Sequence, residues 1–162
     1  MNDKPLLRYR LLLILLSPWL AFVTVRQAIK AGGKRFLLQR FGFAHQVQTD
    51  SAPIWVHCAS VGEVSAVRPL IDELQAQFPH TPLILSTNTP SGADTVARFK
   101  WPNVVHRYLP VDFRYAVTKV LAINRPRALL IMETEIWPNL TFAANKLNVP
   151  IIIVNALSLI HI

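Results

Sequence analysis

Two turns carrying glutamates hold the residues most able to do chemistry in this sequence. The stretch HCASVGEVSA, residues 57–66, places Glu63 where an apolar run ends and a helical pattern begins. The stretch METEIWPN, residues 132–139, places Glu133 and Glu135 just after another apolar run. Neighbouring carboxylates repel one another unless they are exposed or have partners, and a carboxylate held in a turn can act as a general base. Glu63 is therefore either a helix-capping residue or a catalytic base.

The same turns also have a purely structural interpretation. Ser60-x-x-Glu63 matches a capping box, in which the serine oxygen accepts from the amide three residues on and the glutamate reaches back. Thr89 followed by Pro90 is typical of an N-cap residue before a proline at the first helical position. Asp112 is predicted to cap the helix that follows it. Spacing alone leaves the capping and the catalytic interpretations of Glu63 both open.

Short apolar runs alternate with longer amphipathic ones from Pro53 onward, which is a βα repeat pattern. The apolar runs are nearly continuous, as is typical of strands covered on both faces in a parallel sheet. The predicted strands are 54–59, 83–86, 104–108, 128–132 and 151–154, and the predicted helices are 64–78, 91–99, 114–123 and 138–147. This pattern predicts an α/β domain with an open, doubly wound parallel sheet, whose ligands gather at the carboxyl ends of the strands.

The positive charge of the chain is concentrated near its start. Residues 1–40 hold eight of the 17 Lys and Arg residues and one of the nine acidic residues, so this segment alone carries +7 of the net +8. The rest of the chain is nearly neutral and has no basic stripe to follow a phosphate backbone, which argues against a nucleic-acid partner. No G-x-G-x-x-G follows a strand and no P-loop occurs, so dinucleotide and P-loop nucleotide binding are not supported. No Cys/His spacing suggests a metal site.

An uncharged apolar run, LLLILLSPWLAFVTV, lies between Arg10 and Arg26. It is short for a membrane span, but the preceding residues extend it if Arg8 and Arg10 snorkel towards headgroups. We therefore expect a membrane anchor; the rival is a cleaved signal peptide, for which no clear cleavage site follows. The basic residues after the run predict that this side faces the cytoplasm and contacts anionic headgroups, unless they form a solvated linker. They are Arg26, Lys30, Lys34, Arg35 and Arg40.

Four sequence blocks carry a resemblance to a known family: WVHCASVGEV, STNTPSGAD, YLPVD and METEIWPNL, in this order. Together they resemble the amino-terminal half of the Kdo (3-deoxy-D-manno-octulosonic acid) transferases, which are membrane-associated sugar transferases of Gram-negative lipopolysaccharide synthesis. The resemblance runs from the basic anchor through Asn155. It implies the first of two Rossmann-like domains of a GT-B enzyme at the cytoplasmic face of the inner membrane. It also implies CMP-Kdo as donor, the 6-hydroxyl of a lipid A precursor as acceptor, and no cofactor.

The resemblance implies roles for individual residues. Glu63 is the implied base: it takes a proton from the acceptor hydroxyl, which attacks the anomeric carbon of Kdo with inversion as CMP leaves. A helix N-terminus favours the carboxylate form that a base needs. Ser60 and Gly62 are implied to shape the turn, the glycine permitting close approach of a ligand. The other implied substrate-binding residues are Thr87, Thr89, Ser91 and Gly92 in an acceptor-side loop, and Glu133, Glu135 and Asn139 in or beside the METEIWPN turn near an interdomain cleft.

The predicted organisation has three parts: a membrane anchor with its basic flank at 1–40, a Rossmann-like acceptor-side domain at 41–156, and a tail at 157–162. Leu157 stands where the family pattern has an arginine, and the tail resembles a truncation, a frameshift or a cloning scar. Most donor-binding groups of the family lie in the second domain, so we expect no sugar transfer from the 162-residue chain alone. Two other functions stay open: a membrane-anchored GT-B transferase of another sugar, and a non-catalytic lipid-binding α/β module.

Overall fold

A parallel five-stranded sheet organises the domain, in the spatial order β3-β2-β1-β4-β5. The computed structural model describes residues 4–44, 46–47, 51–133 and 137–154. The strands are β1 (Ile54–His57), β2 (Leu83–Thr87), β3 (Val104–Tyr108), β4 (Ala128–Met132) and β5 (Ile151–Val154). All four neighbouring pairs are parallel, which confirms the predicted α/β class.

Helices fill the connections as the repeat pattern predicts, with one difference. They are α1 (Lys4–Gln27), α2 (Gly33–Arg40), α3 (Val61–Ala66), α4 (Arg68–Gln77), α5 (Pro90–Phe99), α6 (Arg114–Asn124) and α7 (Pro138–Lys146), with a π-helical segment, Ala28–Gly32, before α2. The single helix predicted at 64–78 begins earlier and is divided at Val67. Pro69 lies in the first turn of α4 and has no N–H to donate back into α3, which accounts for the division.

Both faces of the sheet are covered by apolar contacts. On one face Trp55 and Leu129 pack against α6 and α7, and on the other Val56 and Leu85 pack against α3, α4 and α5. This two-sided burial explains why the strands read as continuous apolar runs. The sheet edge at which the strands end is therefore the place where polar residues of the connecting turns meet.

The strand order reverses direction between β1 and β4. The chain moves from β1 outward through β2 to β3, then crosses back to place β4 on the other side of β1. In doubly wound sheets the ligand crevice lies outside the carboxyl ends of the strands at such a switch point. The turns that follow β1 and β4 carry Glu63 and Glu133, so both glutamates flank this position.

The N-terminal helices attach to the outer edge of the sheet at β3. Phe36 of α2 packs edge-on against Tyr108, with ring centroids 4.7 Å apart. The amide of Tyr108 donates to Gln39 Oε1 at 2.9 Å, so α2 covers part of an edge strand. Among the described residues one helical stretch, Leu6–Lys30, is long and apolar enough to cross a membrane by length and composition.

Candidate active site

The turn after β1, residues 58–63, forms the predicted capping box. Ser60 Oγ accepts from the amide of Glu63 at 3.2 Å and donates to Glu63 Oε1 at 2.8 Å. Glu63 Oε2 accepts from the amide of Ala59 at 2.8 Å. The carboxylate thus reaches back one residue beyond the N-cap. The capping interpretation is confirmed.

The capping contacts leave the Glu63 carboxylate able to accept a proton. The residue is 7% exposed, and each carboxylate oxygen accepts one hydrogen bond from the turn. A carboxylate has about four acceptor positions, so each oxygen retains a lone pair that can take a proton. The two bonds fix the orientation of the carboxylate, as a general base requires.

Gly62 lies on the exposed side of the same turn. A Cβ built on Gly62 would meet only Ser60 Oγ, at 3.8 Å, which is an ordinary contact. The fold therefore has room for a side chain at this position. Packing against the rest of the domain therefore does not account for a glycine at this position.

The turn after β2, residues 88–92, is capped in the same way but is packed differently. Thr89 Oγ1 accepts from the amide of Gly92 at 3.2 Å and lies 3.1 Å from Ser91 Oγ, which is exposed. A Cβ on Gly92 would come within 2.9 Å of Thr87 Cβ, so this glycine is required by packing. Thr87 is fully buried, with Oγ1 2.9 Å from His106 Nε2. The structure thus places Thr87 and Gly92 beneath the turn, and Ser91 at its surface.

The turn after β4 begins at Glu133, which is exposed and has a left-handed backbone, with φ of 56°. Such a φ is uncommon for a residue other than glycine and is enriched at functional sites. The amide of Glu133 donates to the carbonyl of Val154 at 2.8 Å, which ties the turn to the end of β5. Because Glu133 is exposed, solvent screens its charge. Glu135 lies outside the described residues, as does Asn155.

The prediction that Asp112 caps the next helix is wrong. The N-cap of α6 is Phe113, without a side-chain cap, and Asp112 is buried and turned towards α7. Its carboxylate accepts from the amides of Asn139 and Leu140 at 2.9 and 2.8 Å and from the hydroxyl of Tyr9 at 2.9 Å. Burial raises the pKa of Asp112, and these hydrogen bonds act against that rise. Because the N-cap of α7 offers no side-chain acceptor, Asp112 satisfies amides that would otherwise be unpaired.

Asn139 belongs to this buried network. It is 1% exposed, and its side-chain amide donates to the carbonyl of Asp112 at 2.6 Å. Its Oδ1 accepts from Arg10 Nε at 3.0 Å. Asn139 therefore joins α1 to the start of α7 rather than facing solvent.

Four of the five predicted membrane-facing basic residues are exposed: Arg26, Lys30, Lys34 and Arg35. Arg40 departs from the prediction, since its guanidinium turns inward to the carboxyl edge of the sheet. It donates to the carbonyl of Leu109 at 2.5 Å and to Asn88 Oδ1 at 3.3 Å, and burial lowers its pKa to about 10. No sequence pattern distinguishes Arg40 from the basic residues before it, so its inward orientation was not predicted.

Of two strand histidines, His57 is a core residue and His106 is half-buried. His57 is fully buried with Nδ1 3.0 Å from Ser86 Oγ, and burial lowers its pKa to about 4. Burial and the charges of Arg35 and Arg107 likewise lower the pKa of His106 to about 4. In the described part of the chain, no group of three or more His, Cys, Asp and Glu could hold a metal ion.

Comparison with known proteins identifies the family to which this chain is similar. The family model described as 3-Deoxy-D-manno-octulosonic-acid transferase (kdotransferase) matches residues 35–158. A 3-deoxy-D-manno-octulosonic acid transferase of Haemophilus influenzae is 33% identical over 150 residues, which cover 91% of this chain and 35% of that protein. The enzyme of the same name from Bordetella pertussis is 35% identical over 91% of this chain and 36% of its own length. A third, from Rickettsia bellii, is 30% identical over 93% of this chain.

The chain spans about a third of the length of these curated relatives. The matched region contains all five strands and the turns after β1, β2 and β4. It begins within α2. The chain therefore belongs to the 3-deoxy-D-manno-octulosonic acid transferase family.

Proposed function

We propose that the protein carrying this chain transfers Kdo from CMP-Kdo to the 6-hydroxyl of a lipid A precursor, with inversion. The observation that carries the proposal is the position of Glu63 at the switch point of the sheet, oriented by two hydrogen bonds and with lone pairs to spare. Family membership supports the class of reaction. The lipid acceptor and the identity of the base are part of the proposal.

In this mechanism Glu63 accepts the proton of the acceptor hydroxyl as its oxygen attacks the anomeric carbon of Kdo. The new bond forms as the bond from that carbon to the phosphate oxygen breaks, and CMP departs with the electron pair. Attack from the face opposite CMP inverts the configuration. The proton leaves Glu63 for solvent after the product departs, which restores the carboxylate.

The surrounding turn residues have distinct proposed roles. Ser60 orients the carboxylate, and Gly62 keeps the approach to it open for the acceptor. Ser91 contacts the acceptor from the turn after β2, where Thr89 holds the turn in place and Thr87 and Gly92 pack beneath it. The roles of Thr87, Thr89 and Gly92 at the substrate site are therefore supporting ones.

On the other side of the switch point, Glu133 projects from a turn fixed by β5, and Glu135 follows two residues later in the sequence. We assign these two glutamates to substrate positioning at the interdomain cleft. Asn139 acts indirectly, since its side chain is committed to Asp112 and Arg10.

Stabilisation of the departing phosphate requires positive charge or amide donors. In the proposal these come mainly from a second domain, consistent with the greater length of the relatives. The 162-residue chain is therefore expected not to transfer sugar by itself. Robust turnover of CMP-Kdo by the purified chain would contradict this expectation.

Attachment to the cytoplasmic face of the inner membrane completes the proposal. Its support is the apolar stretch Leu6–Lys30 and the exposed basic residues that follow it. An acceptor embedded in the same bilayer makes such attachment useful, because enzyme and acceptor are then confined to one surface.

The proposal is tested by product analysis with the full-length protein. Incubation with CMP-Kdo and a lipid A precursor should add the mass of one or more Kdo residues, and NMR of the product should show inversion at the anomeric carbon. Other sugar nucleotides should neither be transferred nor compete. Transfer of a different sugar would show that the protein is a GT-B transferase with another donor. Absence of any transfer would favour a non-catalytic binding module.

A further inference from the structure

Helix α1 contacts the rest of the domain near both of its ends. Near its start, Tyr9 Oη donates to Asp112 Oδ2 at 2.9 Å and Arg10 Nε donates to Asn139 Oδ1 at 3.0 Å. We call these two contacts the latch. At its other end α1 continues through Ala28–Gly32 into α2, which is fixed to β3.

The side chains along α1 divide into two stripes. One stripe is at least partly covered along the whole helix and recurs every three or four residues: Leu6, Tyr9, Leu13, Ser17, Leu20 and Thr24. The other stripe is apolar and between 40% and 75% exposed, and includes Leu11, Leu15, Trp19, Phe22 and Val25. Ile29, 80% exposed in the π-helical segment, continues it. The helix therefore contacts α7 as well as the helical segments that follow it, and it presents a long apolar surface outward.

This arrangement is incompatible with a membrane span. From Tyr9 to Gln27 a helix advances about 27 Å, which is close to the roughly 30 Å of bilayer hydrocarbon. If α1 stood across the bilayer, Asp112 and Asn139 would lie at the far side of the hydrocarbon from α2. Both residues belong to the domain that also holds β3, so the latch and a span exclude each other.

We propose that α1 is an in-plane membrane helix, whose apolar stripe sits at the boundary between headgroups and acyl chains of an anionic bilayer. The choice of an anionic bilayer follows from charge: Arg8 near one end and Arg26, Lys30 and Lys34 at the other are exposed cations beside this apolar surface. The latch holds the helix parallel to the surface.

In-plane attachment orients the domain. Asp112 follows β3 and Asn139 begins α7 after β4, so the latch lies at the carboxyl edge of the sheet, the edge at which Glu63 lies. The bilayer surface is thereby brought to this edge, where a lipid-borne hydroxyl reaches the site without leaving the membrane. This consequence rests on the lipid acceptor of the proposed function.

The orientation is tested with Arg8→Cys and Arg26→Cys variants of the full-length protein in membranes of a Gram-negative host. A membrane-impermeant maleimide should label both positions in inside-out vesicles and neither in intact spheroplasts. The unsubstituted protein gives the background, to which the fully buried Cys58 adds little. Labelling of the Arg8→Cys variant only from the spheroplast exterior would establish a span and overturn the inference while leaving the proposed transfer reaction standing.

The depth of α1 in the bilayer, measured at Trp19, provides a second and independent test. Lipids brominated near the headgroup should quench the fluorescence of Trp19 more than lipids brominated near the chain ends, with the Trp19→Phe variant as the subtracted control. Stronger quenching from the chain ends would contradict an in-plane helix. Recovery of the protein only in the non-membrane fraction would overturn both this inference and the membrane attachment proposed above, whereas Kdo transfer is assayed separately.

Discussion

The turns after β1 and β2 are built alike, and the difference between them points to function. In each, a hydroxyl N-cap accepts from the amide three residues on at 3.2 Å: Ser60 from Glu63, and Thr89 from Gly92. The turns follow neighbouring strands and both open helices. Capping is thus common to both and cannot distinguish a reactive turn from a structural one.

The glycines make the distinction. A side chain on Gly92 would collide with Thr87, whereas a side chain on Gly62 would meet only Ser60 Oγ at an ordinary distance. Packing therefore explains the glycine of the second turn and leaves the glycine of the first unexplained. A residue that the fold does not need, beside an oriented carboxylate, is the better candidate for contact with substrate.

Replacing Gly62 by Ala should produce the largest contrast. The fold should tolerate the methyl group, so the free energy of unfolding should change by less than about 0.5 kcal/mol. Transfer should fall about 100-fold, because displacing a reacting group by about 1 Å has an effect of this size. Steady-state kinetics of the full-length variant measures the loss of transfer, and thermal unfolding measures the change in stability. Full activity would remove the distinction between the two glycines.

Gly92→Ala is the matched substitution in the second turn. Its methyl group would overpack against Thr87, which lies in a fully buried strand position, and should cost about 1–3 kcal/mol of stability. Once the variant is folded, its activity should stay within a few-fold of the parent. Denaturant titration checks the loss, and an unchanged midpoint would show that the turn can shift to accept the side chain.

Lowering the pH should lower the free energy of unfolding of the domain, because of two histidines in its strands. The pKa values of His57 and His106 are lowered to about 4, against about 6.5 in an unfolded chain. Between these values the unfolded chain binds protons that the folded chain does not. The free energy of unfolding should therefore fall with decreasing pH by up to about 1.4 kcal/mol per unit for each histidine.

Denaturant titrations between pH 7 and pH 5 measure this slope. The raised pKa of Asp112 acts with the opposite sign, since its protonation favours the folded state as pH falls. A His106→Gln variant isolates one histidine, and its slope should be shallower than that of the parent. Equal slopes for the variant and the parent would contradict the assignment of His106 as a half-buried group that is neutral in the folded chain.

The smallest effect is expected from the cap of the second turn. Thr89→Ala should lose about 1 kcal/mol of stability, while Thr89→Asn, which retains an N-cap acceptor, should lose little. Both variants should keep most of their activity, because Thr89 is a positioning residue in this account. Loss of transfer in both variants, with stability retained in the Asn variant, would instead place Thr89 in contact with substrate.

Local patterns predicted the fold well. Apolar runs gave β3, β4 and β5 with their observed bounds, and the hydroxyl N-caps at Ser60 and Thr89 were readable because the bond to the third residue on is encoded by spacing. The division of the helix predicted at 64–78 was missed, although Pro69 was a visible signal for it.

Long-range contacts could not be predicted from local sequence patterns. The partners of Asp112 lie 27 and 28 positions away on α7 and 103 away on α1, so only tertiary packing decides which helix it caps. The inward turn of Arg40 and the left-handed backbone of Glu133 are likewise set by packing. The resemblance to a family identified Glu63, and the structure added why a capped glutamate can still accept a proton.

The most direct test of this account compares Glu63→Gln with Ser60→Ala in the full-length protein. Glutamine can still serve as the third residue of a capping box, so Glu63→Gln should keep its unfolding temperature while kcat falls about 100- to 10,000-fold. Ser60→Ala removes the N-cap and one of the two hydrogen bonds that orient Glu63, so it should cost about 1 kcal/mol of stability. It should lower kcat far less than Glu63→Gln does, because the carboxylate and its bond to the amide of Ala59 remain. The reverse pattern, an active Glu63→Gln variant with lowered stability, would show that Glu63 only caps α3.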